Sequence, residues 1–236
     1  MSHLSIVIPA YNEEGRIDVT LAKIYDFLKT KNYTYEVIVV DDGSSDRTAQ
    51  VVSKSRLFME NKLKLIKNGM NMGKGYSVKN GILNSSGEYV LFSDADLSTP
   101  IEELDRLLEI IGKGYDIAIG SRSVADSSVI QHQPWYRELM GKAFNLFVKL
   151  LLINEFKDTQ CGFKLFKGEP ARQTARHMRI NGFAFDVEML CIARAKGYKV
   201  KETGIRWENS PESKVRIFRS PVSMFFDLIK IKLMHG

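Results

Sequence analysis

The chain has 236 residues, of which 44% are hydrophobic and 26% charged, a balance ordinary for a globular protein with a buried core. That composition excludes a disordered, collagen-like or low-complexity chain. The net charge is +6, and residues 194–236 alone hold ten Lys/Arg against four Asp/Glu, which leaves the first 193 residues formally neutral.

Cys161 and Cys191 form no CxxC pair and no disulfide framework, which suits a reducing compartment. The N-terminus, MSHLSIVIPAYNEE, lacks the basic start of a signal peptide, and its apolar run stops at Pro9. The longest apolar stretch, 143–153, is broken by Asn145 and Lys149 and is too short to span a bilayer. A soluble or peripheral protein is expected.

In chain order, runs rich in Val, Ile, Leu and Tyr predict strands over 4–9, 35–40, 63–67, 88–93 and 116–120. Ile17, Leu21, Ile24 and Leu28 recur with helical period, as do Ile101, Leu104, Leu107, Leu108 and Ile111. Ser44 and Ser45 suit a helix cap, and Thr99-Pro100 suits a helix start. This alternation predicts an α/β fold: a mainly parallel sheet with helices on both faces. Ligands in such sheets bind beyond the carboxyl ends of the strands. That directs attention to 9–13, 41–46, 68–75 and 94–97.

The second half is less regular. Helices are expected over 139–153 and 183–196, the latter ended by Gly197. After Pro221, Val222, Phe225, Phe226, Ile229 and Leu233 recur at helical spacing. The expected organisation is one domain over 1–210 and a basic, apolar appendage over 211–236 ending in an amphipathic helix.

Asp94-Ala95-Asp96 follows the apolar run YVLFS. Two carboxylates at a strand end can face one hard cation, and Mg²⁺ favours few carboxylates plus substrate phosphates. D-x-D is also common in solvated turns. Val39–Asp46 reads as strand, turn and helix cap, with carboxylates able to meet a base or a ribose; a plain βα loop reads the same way. Asn71-Met72-Gly73-Lys74-Gly75 fails the Walker pattern, because position 68 is Asn and position 75 is Gly. Nor does G-x-G-x-x-G follow the first strand, which disfavours a dinucleotide fold.

Together IVIPAYNEE, VVDDGSSD, NMGKG and FSDADLSTP, in this order, resemble the family 2 glycosyltransferases of GT-A fold. The resemblance covers about residues 4–210. It is nearest to the polyprenyl-phosphate branch, and within it to the dolichyl-phosphate β-glucosyltransferases. DADLSTPIEEL, Gly120-Ser121-Arg122, Arg137 before Met140-Gly141-x-x-Phe144-Asn145, DTQCGFK over 158–164 and Glu212-Ser213-Lys214 carry it. Mannosyl-transferring relatives typically read DADLQ, whereas position 98 here is Ser.

The resemblance implies that Pro9, Ala10, Tyr11, Glu13 and Asp42 hold the base and ribose, with Gly73 and Lys74 beside the nucleotide. It places Asp94 near the ribose and diphosphate and Mg²⁺ or Mn²⁺ on Asp96, with Asp94 beside it. Arg122, Arg137 and Lys214 would meet the lipid phosphate, and Asp158 and Gln160 would line the sugar side. The segment 183–188 can also place a carboxylate near the sugar, though its aromatics read as core.

The implied reaction is inverting transfer of glucose from a nucleotide-sugar donor, UDP-glucose, to a polyprenyl phosphate. Phosphate acceptors need cations rather than a base, and arginine suits them; surface salt bridges would use the same arginines. Many relatives carry membrane helices, so attachment here would fall to the helices at 139–153 and 222–234, at the cytoplasmic face of a membrane. Packing into the core or a homodimer contact is the competing reading for them. The alternatives are a GDP-mannose-dependent transferase, a soluble polysaccharide-building transferase, and a basic protein that binds nucleic acid or a partner. The last would leave DAD and DTQCGFK unexplained, and no nucleic-acid fold is recognisable.

Overall fold

A seven-stranded sheet forms the middle layer of the computed structural model, which describes residues 3–131, 134–208 and 219–235. The elements follow as β1 (Leu4–Ala10), α1 (Ile17–Leu28), β2 (Tyr35–Asp41), α2 (Thr48–Ser53), α3 (Arg56–Met59), β3 (Leu63–Lys67), α4 (Lys74–Leu83), β4 (Tyr89–Ser93) and α5 (Glu103–Gly112). Then come β5 (Ile117–Ser121), β6 (Ser128–Gln131), α6 (Trp135–Leu151), β7 (Phe163–Lys167), α7 (Gly168–His177), α8 (Phe185–Ala195), β8 (Val200–Gly204), β9 (Arg206–Glu208) and α9 (Arg219–His235).

The strand order is β3-β2-β1-β4-β7-β5-β8. β7 runs antiparallel to both β4 and β5, and the other pairings in this sheet are parallel. A separate parallel pair joins β6 to β9. The five expected strands are present within one residue at each end. β7 begins in the last two residues of the DTQCGFK segment and runs on to Lys167; it is a strand that the sequence pattern does not predict.

The central strands are apolar on both faces because helices cover both. In β1, Ile6 and Ile8 join Ile17, Leu21, Ile24 and Leu28 of α1 and Leu104 and Leu107 of α5 in one core layer. Val7 turns to the other layer, with Val78 and Ile82 of α4, Phe185 of α8 and Leu228 and Ile231 of α9.

The expected boundary at 210/211 falls within 209–218, outside the described residues. The C-terminal helix does not stand apart from the body: Leu228 and Ile231 are fully buried. No helix among the described residues is long and apolar enough to cross a membrane.

Candidate active site

The loops after β1, β2, β3 and β4 gather at one edge of the sheet, because those four strands run parallel. Asn12 follows β1 in the left-handed region (φ 53°), which an asparagine tolerates. Its N–H donates to Ser44 Oγ at 2.9 Å, and its own Oδ1 accepts from the Ser45 N–H at 2.8 Å. The Glu13 N–H donates to Thr48 Oγ1 at 2.7 Å. Pro9 and Ala10 are thereby buried at the strand end, while Tyr11 is exposed.

Two residues expected to hold base and ribose are committed within the protein. The Asp42 carboxylate accepts from Asn68 Nδ2 (2.8 Å) and from the N–H groups of Met72 (3.0 Å) and Gly73 (2.9 Å). It therefore shapes the 68–73 loop. The Glu13 carboxylate is forked by Arg16, whose Nη2 lies 3.0 Å from Oε1. Arg16 had no sequence signal of its own; its Nη1 also lies 4.0 Å from Asp96 Oδ2.

β4 is followed by Asp94, Ala95 and Asp96. Leu97 takes φ 46°, a left-handed conformation unusual for a leucine, and the turn is closed by its N–H to Asp94 O (3.3 Å). The Ser98 N–H donates to Asp96 Oδ1 at 3.0 Å, and Thr20 Oγ1 donates to Ala95 O at 2.6 Å. Burial pushes the Asp96 carboxyl up, and the neighbouring Asp94 charge adds to the rise. Lys74 Nζ lies 2.7 Å from Asp94 Oδ1. Burial works against the Lys74 ammonium, but Asp94 and Asp186 outweigh it and hold it above the usual lysine value.

The backbone of Gly162 is the floor under Asp94: a Cβ there would lie 2.1 Å from Asp94 Oδ2. Its carbonyl accepts the Asp94 N–H at 3.1 Å. Gly73, at φ 100°, opens α4 against the Asn181 carbonyl, where a Cβ would lie 2.3 Å from the oxygen. Neither position tolerates a side chain without a shift in the site.

Arg122, at the end of β5, makes a two-pronged pair with Asp158: Nε to Oδ2 at 2.7 Å and Nη2 to Oδ1 at 2.8 Å. Asp158 also accepts the Arg122 N–H (3.0 Å) and the Gln160 N–H (3.2 Å). Burial alone would raise the Asp158 carboxyl, but the guanidinium wins and holds it below the usual range. The guanidinium carbon lies 5.5 Å from the centre of the Trp207 ring. Asp158, expected on the sugar side, thus fixes Arg122, and Gln160 braces Asp158 through its backbone. The Arg122 side chain keeps 30% of its surface exposed.

A second buried pair supports Lys74 from below. Lys164 is fully buried in β7; its Nζ donates to Cys161 O at 2.6 Å and to Asp186 Oδ1. Burial holds the Asp186 carboxyl above the usual range despite Lys164 and Lys74. Phe185, beside it, is core as expected. Burial also pushes the Cys161 thiol up to about 12, which makes it an inert packing group. The Arg137 side chain, in the first turn of α6, and the whole of Lys214 lie outside the described residues.

Asp94 and Asp96 fit a divalent cation, because burial and the Asp94 charge leave the Asp96 carboxylate short of positive charge. No group of three or more His, Cys, Asp or Glu among the described residues is set to hold a metal. Further ligands would be substrate oxygens or water, the pattern suited to Mg²⁺ and Mn²⁺.

The family model for glycosyl transferase family 2 matches residues 5–174. The chain is 36% identical over 247 residues to dolichyl-phosphate beta-glucosyltransferase of Dictyostelium discoideum, covering 99% of this chain and 75% of that protein. It is 35% identical over 244 residues to the Homo sapiens protein of the same name, covering 98% and 75%. Among solved structures, glucosyl-3-phosphoglycerate synthase from Mycobacterium tuberculosis, in complex with Mn²⁺, UDP-glucose and phosphoglyceric acid, superposes with TM-score 0.69 at 16% identity, covering 100% of this chain and 81% of that one. That likeness shows a shared GT-A fold.

Lys164→Met is expected to cost about 3–5 kcal/mol, because it leaves the Asp186 carboxylate buried beside an apolar group. Adding Asp186→Leu should recover most of that loss, and denaturant unfolding of the two single variants and the double variant measures it.

Proposed function

The chain belongs to glycosyl transferase family 2, and from that premise we propose that it transfers glucose from UDP-glucose to a polyprenyl phosphate, with inversion. The observation that carries this is a pair of anchored cations near Asp94: Lys74, 2.7 Å from its Oδ1, and Arg122, held by Asp158 and within reach of the Asp94 charge. Two anionic substrates can meet between them. The relatives named dolichyl-phosphate beta-glucosyltransferase support glucose and a lipid phosphate. Donor and metal draw support from the fold neighbour crystallised with Mn²⁺ and UDP-glucose.

In this reading a non-bridging oxygen of the acceptor phosphate attacks the anomeric carbon. The bond from that carbon to the diphosphate oxygen breaks, and its electron pair leaves with UDP. Because a phosphate monoester has a second pKa of about 6, it is already anionic at neutral pH and needs no general base. Pro9, Ala10 and Tyr11 border the nucleoside, and Asp42 and Glu13 act by shaping the loops around it. Lys74 holds Asp94 and faces the diphosphate. Asp94 and Asp96 would hold Mg²⁺ or Mn²⁺, which supplies positive charge for the leaving diphosphate. Arg122 presents its remaining donors to the acceptor phosphate, with Arg137 and Lys214 assigned to the same side. Asp158 and Gln160 keep Arg122 in place.

Asp96→Asn should lower turnover by about a hundredfold or more while circular dichroism is unchanged, since one charge for the cation is lost at a half-buried turn outside the strand. EDTA should stop the wild type, with recovery on adding Mn²⁺. Full transfer in EDTA would remove the metal from this reading.

Arg122→Lys keeps the charge and loses the planar fork. The expected result is a raised KM for polyprenyl phosphate with UDP binding little changed. A selective loss of UDP binding would reassign Arg122 to the donor.

The long hydrophobic side chains on the outer faces of α6 and α9 support a peripheral place at a membrane surface; the free cysteines Cys161 and Cys191 suit its cytoplasmic side. Leu139, Leu146, Phe147 and Leu150 of α6 and Phe226, Ile229 and Leu233 of α9 are exposed. Phe147 meets Phe225 edge to face at 5.2 Å, which joins the two faces. Amphipathic helices with such faces lie in the lipid interface. Leu150→Ser with Leu233→Ser should abolish co-sedimentation with anionic vesicles. A wild type that ignores vesicles and forms a dimer, which the same substitutions dissociate, would make this face a subunit contact instead.

A further inference from the structure

Residues 178–184, between α7 and α8, lie between the turn that opens α4 and the C-terminal helix. On the α4 side the Gly75 N–H donates to Asn181 O at 2.8 Å, and Lys79 Nζ donates to Met178 O at 2.9 Å. The packing there leaves no slack: a Cβ on Gly75 would lie 2.3 Å from the Ile180 oxygen. Lys74 therefore stands where this loop lets it stand.

The other side of the loop rests on Glu188. Its carboxylate is fully buried and accepts the N–H groups of Arg179 (2.9 Å) and Ile180 (2.9 Å). A third group completes the set: His235 Nε2, on the last turn of α9, lies 3.0 Å from Glu188 Oε1. Asp227 of α9 also approaches the loop, its Oδ2 3.4 Å from where a Cβ on Gly182 would be. A buried carboxylate needs its lone pairs filled, and an unfilled one is relieved by movement of whatever else it holds. Here that is the backbone of 179–180.

We propose that Glu188 and His235 are positioning residues, through which the docked C-terminal helix fixes the 178–184 loop and so sets Lys74 against Asp94. The consequence for donor binding rests on the reading of Lys74 as a diphosphate-side residue; the coupling from α9 to the loop does not.

The test uses the full chain with His235→Ala and His235→Gln. Glutamine can return a nitrogen donor to the Glu188 oxygen; alanine cannot. Hydrogen–deuterium exchange is followed in peptides covering 73–83, 178–188 and 219–235, and UDP is titrated in the presence of Mn²⁺. His235→Ala should speed exchange at 73–83 and 178–188 by about tenfold, the scale of losing a hydrogen bond to a charged group, and weaken UDP binding about fivefold. His235→Gln should restore most of both. Faster exchange confined to 219–235 would overturn the proposal, as would a glutamine variant no better than alanine. If wild-type protein does not bind UDP, the donor reading falls, and the exchange at 73–83 still decides the coupling.

Discussion

Two carboxylates at the end of a buried strand must be compensated, and most of this site is organised by how that is done. Asp94 and Asp96 leave β4 at a turn closed by Leu97 in a left-handed conformation. Lys74 comes from the start of α4 to pair with Asp94, and Arg16 comes from the start of α1 toward Asp96. The compensation is partial: burial and the neighbouring carboxylate still hold Asp96 above its ordinary value. Under the proposed function a dication would supply the missing positive charge, and oxygens of the donor diphosphate would complete its ligands.

A second tier of paired charges holds the first in place. Lys164 and Asp186 are buried beneath Lys74, and Asp158 locks Arg122 at the other side. Such pairs contribute little net stability, but breaking one leaves a charge in a low-dielectric interior. The backbone cooperates by approaching closely: Gly162 under Asp94 and Gly73 against Asn181 leave no room for a Cβ. Those contacts allow the side chains to be placed without freedom to drift.

The C-terminal helix belongs to this arrangement as well as to the surface. Its inner face buries Leu228 and Ile231 in the same core layer that carries Phe185. Its outer face shows Phe226, Ile229 and Leu233. One helix thus links an exposed apolar surface to the loop beneath Lys74, through Glu188.

Periodicity and turn chemistry were enough to determine the five parallel-type strands, the helices over the sheet and the edge at which the loops meet. The motifs IVIPAYNEE, VVDDGSSD, NMGKG and FSDADLSTP, in that order, were enough to identify the family, because each is a contiguous segment between a strand and the element that follows it. What only the tertiary structure decided is how the charges pair. β7 was illegible because its alternation is broken by Lys164, a lysine in a core position whose partner Asp186 lies 22 residues away. Asp42 read as an open ligand, since nothing in the local sequence shows that Asn68 and Gly73 will claim its oxygens; Glu13 read the same way, although its partner Arg16 stands only three residues on. Asp158 and Arg122 read as two separate functional groups because their 36-residue separation hides that the fold makes them one pair. A local pattern encodes which face a residue takes; the partner of a buried charge depends on which distant strands become neighbours.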